Sequence, residues 1–252
     1  NPVDFLLDNL KIQNNLIEKS YKFGVKRLLF LGSSCIYPKF AEQPIKENYL
    51  LTDYLESTNE YYAIAKIAGL KLCEAFRRQY NFDAITLMPT NLYGPKDNYD
   101  PKESHVMAAF IRKFYEAKKY NKKQVICWGT GKPLREFLYV DDLAEACLFI
   151  LENWFPVNND SKSNTKEDQT CWLNVGSENE ISIKNLAEKI SRIISYEGEI
   201  IWDKKMPDGT PRKKSDTKKI NDLGWEAKTD LETGIKLTIK YFKNEILNSK
   251  LR

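Results

Sequence analysis

Two short runs constrain this chain more than any other feature. Arg27-Leu28-Leu29-Phe30-Leu31-Gly32 and Ala84-Ile85-Thr86-Leu87-Met88-Pro89 are almost wholly apolar, and each stops on a residue that breaks a strand. A strand with one wet face alternates polar and apolar side chains. A strand that is apolar throughout is buried on both faces, as parallel strands are. Parallel neighbours need a crossover, usually a helix. Apolar residues recur at Phe5, Leu6, Leu10, Ile12, Leu16 and Ile17, which predicts an amphipathic helix over Val3–Lys22 with Gly24 as its stop. A second long helix is predicted to begin at Ser57-Thr58-Asn59-Glu60, where Ser57 and Glu60 have capping-box spacing, and to end near Tyr80. Helix, strand, helix, strand at these intervals predicts a parallel sheet with crossover helices.

After Gly94-Pro95 the rhythm changes. A helix is predicted over Ser104–Lys119, a strand over Gln124–Trp128, a turn at Gly129–Pro133 and an extended segment at Phe137–Val140. Asp141 or Asp142 is expected to cap a helix reaching about Asn153. Pro156–Gln169, rich in Asn, Ser, Lys and Asp, is expected to be an exposed loop insertion. A strand at Trp172–Val175, a helix at Ser182–Ser195, a strand at Glu199–Trp202 and a closing helix at Asp230–Asn248 complete the pattern. The expected fold class is α/β, a doubly wound parallel sheet followed by a smaller α/β lobe. With 252 residues, 42% of them hydrophobic, the chain can bury a substantial core.

Charge and cysteine usage narrow the partners. The net charge is only +4, with acids interleaved among the lysines, so the surface is expected to be a solvated one and not a nucleic-acid stripe. Cys35, Cys73, Cys127, Cys147 and Cys171 are widely spread with no Cys-x-x-Cys pair, which predicts reduced thiols in a cytoplasmic protein. One histidine, His105, leaves no His-rich metal site, and no metal is expected. No apolar run approaches the roughly 18 residues of a membrane span.

The sharpest chemical signal is Tyr62-Ala63-Ile64-Ala65-Lys66. Residues four apart share a helix face, so Tyr62 and Lys66 project together while Tyr61 points away. A phenol ordinarily titrates near ~10 and is a poor acid–base catalyst at neutral pH. A neighbouring ammonium is expected to draw that value down. About thirty residues upstream, Ser33 and Ser34 follow a buried strand, where ligands bind in open α/β sheets. A serine there can hydrogen-bond the oxygen of a reacting carbonyl. Taken alone, Tyr-x-x-x-Lys is common by chance on amphipathic helices; the strand-end serines give it weight.

Ser33 with Tyr62-x-x-x-Lys66 resembles the triad of the short-chain dehydrogenases/reductases, in the form of the extended branch. The likeness is closer still. Gly32-Ser33-Ser34-Cys35-Ile36-Tyr37-Pro38-Lys39, Thr58 through Gly69, Met88-Pro89-Thr90-Asn91-Leu92-Tyr93-Gly94-Pro95, Ser104-His105-Val106, Trp128-Gly129-Thr130-Gly131 with Arg135-Glu136-Phe137, and Pro207 through Lys213 resemble, in order, the GDP-L-fucose synthase family. That resemblance implies a Rossmann-like fold and conversion of GDP-4-keto-6-deoxy-D-mannose to GDP-L-fucose, by epimerisation at C3 and C5 and then NADPH-dependent reduction at C4. It implies Tyr62 as proton donor, Lys66 as the residue that holds the nicotinamide ribose, and Ser33 as the group that positions the oxygen. Cys35 and His105 match the epimerising pair, and an unperturbed thiol and imidazole near ~8.5 and ~6.5 suit that work.

Leu31, Gly32, Ser33 and Ser34, with Tyr62 and Lys66, match segments that line the nicotinamide half of an NADP(H) site; so do Pro89, Thr90, Asn91, Leu92 and His105. Lys113, Trp128, Arg135, Arg212 and Asp216 match substrate-contacting positions, the last two less securely because the Pro156–Gln169 insertion precedes them. Residues 1–97 would then be the C-terminal part of an NADP-binding Rossmann domain. Residues 98–252 would be a substrate-binding lobe with some strands interleaved into the Rossmann sheet. A homodimer built on Val3–Lys22 and Glu60–Tyr80 is implied as well.

The glycine-rich turn that cradles a cofactor pyrophosphate is formed by none of the 11 glycines. In the family, two or more strand–helix units precede the helix that opens this chain. The Rossmann sheet is therefore expected to be incomplete, lacking its first βαβ units, and the chain is expected to be inactive on its own. Three other readings compete. One is an extended-family 4-epimerase or 4,6-dehydratase, which the absence of an acidic pair after Tyr37 counts against. A second is a non-catalytic relative that senses dinucleotides and has lost its catalytic tyrosine, which the intact Tyr62 and Lys66 count against. A third is a degraded or split-gene remnant acting as an interaction module, which a Gly-x-x-Gly-x-x-Gly strand–helix unit upstream would count against.

Overall fold

Both apolar runs become strands: the first ends at Leu31, one residue before Gly32, and the second starts one residue earlier than its run, at Asp83. The computed structural model describes residues 1–101, 103–156 and 170–249. All but Pro156 of the predicted loop insertion lies outside the described residues. In chain order, α1 (Pro2–Lys22), β1 (Arg27–Leu31), α2 (Glu60–Tyr80) and β2 (Asp83–Pro89) come first. Next are β3 (Asn91–Tyr93), α3 (Val106–Lys119), β4 (Gln124–Trp128) and β5 (Leu134–Tyr139), then α4 (Val140–Asn153) and β6 (Trp172–Val175). The remainder is β7 (Glu180–Ser182), α5 (Ile183–Ile194), β8 (Glu199–Asp203), β9 (Arg212–Lys213), α6 (Lys218–Asp222) and α7 (Leu231–Ser249). These elements form two units. The first holds Asn1–Thr90, Leu143–Glu178 and Lys214–Glu226; the second holds Asn91–Asp142, Asn179–Lys213 and the chain from Ala227 onward.

In the first unit β1, β2 and β6 form a parallel sheet with β2 in the centre. Leu28 registers with Ala84, and Thr86 with Trp172. The central strand is the most buried, as its sequence requires: Ala84, Ile85, Leu87 and Met88 have no exposed surface. Helices α1 and α2 pack on one another and on the sheet around Ile17, Phe30, Cys73 and Phe82. Gly69 is what permits that approach, because a Cβ there would lie 2.6 Å from the Phe30 ring and 2.8 Å from the Gln13 amide.

In the second unit β5 pairs with β3 and β9 in parallel and with β7 antiparallel, while β4 and β8 form a separate parallel pair. Helices α3, α5 and α7 bury Phe110, Phe114, Ile190, Ile235 and Phe242 in one core with Tyr93 and Phe137.

Several boundaries differ from expectation for local reasons. The Ser57–Glu60 capping box does not form: α2 starts at Glu60 with Asn59 at its mouth, and Ser57 sits two residues too early. Neither Asp141 nor Asp142 caps α4, which already begins at Val140. Asp142 instead accepts from both the amide and the hydroxyl of Thr229 at 2.9 Å. β3, β7, β9 and α6 are two to five residues long, too short for any periodicity to mark them.

Candidate active site

The C-terminal end of β1 builds the first group of site residues. Gly32 donates its amide to Leu87 O at 2.9 Å, continuing the parallel ladder one residue past the strand. A Cβ on Gly32 would start 2.3 Å from Met88 Sδ, so the position has no room for a side chain. Ser33 is extended, and its hydroxyl accepts from the Cys35 amide at 3.2 Å, capping a short 3₁₀ turn over Ser34–Ile36. The turn leaves Ser34 buried and Ser33 and Cys35 half-buried at the edge where open α/β sheets bind ligands.

Helix α2 brings Tyr62 and Lys66 to this turn. Ala63, Ala65, Ile67 and Leu70 face the core, Tyr61 is exposed, and Tyr62 and Lys66 lie between. The Lys66 ammonium donates to Leu31 O at 3.0 Å and rests 4.9 Å from the Phe30 ring and 5.8 Å from the Tyr62 ring. Burial raises the phenol of Tyr62 above its ordinary value, and negative charge on Cys35 adds to this; a hydrogen bond with Ser33 draws it back. Burial lowers the ammonium of Lys66. The expectation that Lys66 depresses the Tyr62 phenol is corrected here. The ammonium is anchored on the Leu31 carbonyl, and desolvation governs the phenol.

Pro89, Thr90 and Asp216 also belong to the first unit. Pro89 ends β2, and buried Thr90 donates its amide to Val175 O at 3.1 Å. Asp216 donates its amide to Ile45 O at 2.8 Å and accepts the Lys218 amide at 2.9 Å, so its carboxylate opens α6. A buried network that the motifs did not mark holds the chain leaving the serine turn. Tyr37 donates to Asn174 Oδ1 at 2.7 Å, and Asn174 donates to Glu47 Oε1 at 3.0 Å and to Ile45 O at 2.9 Å. Its one sequence signal is a polar Asn174 in the otherwise apolar Trp172-Leu173-Asn174-Val175.

In the second unit, Asn91 and Leu92 lie in β3, with the Asn91 amide donating to Glu136 O at 2.8 Å. His105 is exposed at the mouth of α3. Burial raises the carboxyl of Asp97, with His105 drawing it back, and the Oδ2 of Asp97 is buried with no hydrogen-bond partner among the described residues. Lys113 and Trp128 do meet: the ammonium sits 5.6 Å from the indole ring while donating to Ile126 O at 3.2 Å. Trp128 is 61% exposed, an unusual amount for an indole, and so is available to a ligand. Arg135 donates to Leu134 O at 2.8 Å. Arg212 forms a bidentate pair with Glu180 at 2.8 and 2.6 Å, which occupies one edge of its guanidinium. The structure thus brings Ser33, Cys35, Tyr62 and Lys66 together as one group and Lys113 with Trp128 as another; Cys35 and His105 belong to different units.

Among the described residues no group of His, Cys, Asp and Glu is placed to hold a metal ion. Among the same residues no helix is long and apolar enough to cross a membrane.

The strand-end serines and the Tyr–Lys pair define a class of dinucleotide-dependent enzyme, and residues 1–161 match the NAD dependent epimerase/dehydratase family. Over 247 residues the chain is 50% identical to GDP-L-fucose synthase 1 of Arabidopsis thaliana, covering 98% of this chain and 72% of the relative. A GDP-6-OMe-4-keto-L-xylo-heptose reductase from C. jejuni superposes with a TM-score of 0.88 at 35% identity, covering 97% of this chain and 78% of that one. A GDP-L-fucose synthetase from Naegleria fowleri, bound to NADP, superposes with a TM-score of 0.85 at 29% identity, covering 98% and 75%. The chain belongs to the GDP-L-fucose synthase family, within the NAD dependent epimerase/dehydratases.

Proposed function

We propose that the protein converts GDP-4-keto-6-deoxy-D-mannose to GDP-L-fucose, first epimerising C3 and C5 and then reducing C4 at the expense of NADPH. The observation that carries this reading is the Ser33–Tyr62–Lys66 group at the C-terminal edge of the parallel sheet. When bound, NADPH supplies the hydride that reduces C4. Tyr62 delivers the matching proton to the C4 oxygen. Burial keeps its phenol protonated across the neutral range, the state a donor needs. Ser33 hydrogen-bonds that oxygen and fixes its position. Before reduction, the C4 ketone acidifies the hydrogens on C3 and C5. Cys35 and His105 are the pair that removes and returns those protons.

The residues present fit the nicotinamide half of the cofactor. A partly desolvated ammonium on Lys66 stands beside exposed Leu31 to take ribose hydroxyls. Ser34, Pro89, Thr90, Asn91, Leu92 and His105 complete that half. Most of these cofactor residues lie in the first unit, and the substrate positions other than Asp216 lie in the second. There Lys113 and Arg135 meet the pyrophosphate, Trp128 offers a stacking face for base or sugar, and Arg212 and Asp216 supply further polar contacts.

The protein works as a homodimer in the cytoplasm. Supporting the dimer, α1 and α2 leave Val3, Phe5, Ile12, Leu16 and Ile64 exposed. All five cysteines are free thiols, in keeping with a reducing compartment. The test is an assay of the protein expressed from its full reading frame with GDP-4-keto-6-deoxy-D-mannose. Stoichiometric NADPH oxidation supports the reading, and its absence overturns it.

A further inference from the structure

The Trp128 end of β4 runs into a turn whose shape is set from outside the turn. Gly129 and Gly131 have φ of 76° and 72°, the left-handed region that favours glycine. Gly129 donates its amide to Asp203 O at 3.0 Å, extending the β4–β8 ladder, and a Cβ on it would start 2.3 Å from Asp208 Oδ1. Asp208 occupies the space that the missing side chain leaves. Its two oxygens divide the work: Oδ1 accepts the Thr130 amide at 2.7 Å and Oδ2 accepts the Thr130 hydroxyl at 2.8 Å. The Thr130 hydroxyl in turn accepts the Lys132 amide at 3.2 Å, so one carboxylate organises the whole Gly129–Lys132 turn.

The other side of this clasp leads to the basic substrate positions. Gly209, next to Asp208, lies so that a Cβ would be 3.6 Å from Arg135 Nη2. Four residues after Asp208 the chain enters β9, where Arg212 registers with Leu134 and Lys213 with Arg135. The segment from Pro207 to Lys213 is therefore tied at one end by the Asp208 carboxylate and at the other by the β5 ladder. The indole of Trp128 is exposed, and the Lys113 ammonium rests 5.6 Å from its ring.

We propose that Asp208 is a positioning residue for the nucleotide part of the substrate: by clasping Thr130 it sets the spacing between Trp128 and Arg135. Asp208 is itself exposed, so the clasp adds little to global stability and acts on the geometry of the two loops. This inference rests on the GDP-sugar reading above. The test compares the full protein with Asp208→Ala, Asp208→Asn and Thr130→Val, measuring KM for the GDP-sugar, kcat, KM for NADPH, melting temperature and, by calorimetry, the Kd for GDP alone.

Loss of the clasp is expected to raise KM for the GDP-sugar and Kd for GDP about tenfold in Asp208→Ala, as misplacement of a positioned group does. KM for NADPH and the melting temperature are expected to stay near wild type. Asp208→Asn and Thr130→Val, each keeping one of the two bonds, are expected to fall between. Equal GDP affinity in wild type and Asp208→Ala overturns the proposal, as does a loss of affinity matched by a large fall in melting temperature. A wild-type protein that binds GDP but does not reduce the keto-sugar overturns the assigned reaction and leaves the clasp standing. A wild-type protein that binds no GDP overturns both.

Discussion

Tyr62 shows how much of a catalytic residue's behaviour depends on its immediate surroundings. Its phenol is raised by burial and tethered to Ser33, while Lys66 holds its charge on the Leu31 carbonyl. We expect Tyr62→Phe to lower the NADPH-dependent reduction by at least about 10²-fold, the usual scale for loss of a positioned acid. Hydrogen exchange at C3 and C5, followed by NMR in D₂O, should continue in that variant. Cys35→Ser should do the reverse, slowing exchange while sparing reduction of an already epimerised keto-sugar. Equal loss of both steps in each variant would contradict the division of labour. The pairing of Tyr62 with Lys66 was legible because four-residue spacing alone puts them on one helix face. The anchoring of Lys66 was not legible, since it depends on a β1 carbonyl 35 residues away in sequence. Asp208 escaped notice for the same reason: its partner Thr130 is 78 residues distant.

At the scale of elements, the contact of α1, α2 and β1 turns on Gly69. Alanine there gains up to about 1 kcal/mol of helix propensity. Against that, its Cβ would displace the Phe30 ring and the Gln13 amide, and overpacking of this kind costs about 1–3 kcal/mol. Overpacking wins, so urea unfolding of Gly69→Ala should show a net loss of stability, and a gain would contradict the packing described. Glu47 tests the network that ties the chain after the serine turn to β6. Burial raises its carboxyl above the ordinary value, so the native state holds more protons than the unfolded state as pH climbs from that ordinary value to the raised one. Stability contributed below the ordinary value is therefore lost as pH rises through this window. Glu47→Gln keeps an acceptor for the Asn174 amide and cannot ionise. Its stability relative to wild type should improve from pH 4 to pH 7 in urea titrations; an unchanged difference would contradict the assignment. The apolar runs announced β2 and β6, whose burial is nearly complete and leaves no alternation to misread; β1, equally apolar in sequence, is fully buried only at Phe30 and leaves Leu31 exposed. The starts of α2 and α4 were misjudged because capping depends on where the preceding turn leaves the chain, and acidic or hydroxyl side chains in the vicinity do not reveal that.

For the molecule as a whole, the chain passes repeatedly between two units, and no local pattern announces which unit a segment joins. Sequence blocks identified the family because several of them, such as Gly32–Lys39 after β1 and Pro89–Pro95 at the end of β2, fall at strand ends and turns, where few residue types fit. They said nothing of how segments such as Lys214–Glu226 return to the first unit. Assembly through α1 and α2 is testable at this scale. Ile12→Asp with Leu16→Asp places charge among exposed apolar side chains, and sedimentation equilibrium should then report one chain where the wild type reports two. An unchanged mass would contradict that interface. Epimerisation at C3 and C5 followed by reduction at C4 in one protein is read most directly from an NMR spectrum of the product. The protein from its full reading frame is incubated in D₂O with GDP-4-keto-6-deoxy-D-mannose and unlabelled NADPH. The expected product is GDP-L-fucose carrying deuterium from solvent at C3 and C5 and hydrogen from NADPH at C4. A reduced 6-deoxyhexose with its original C3 and C5 hydrogens and D-configuration would contradict it.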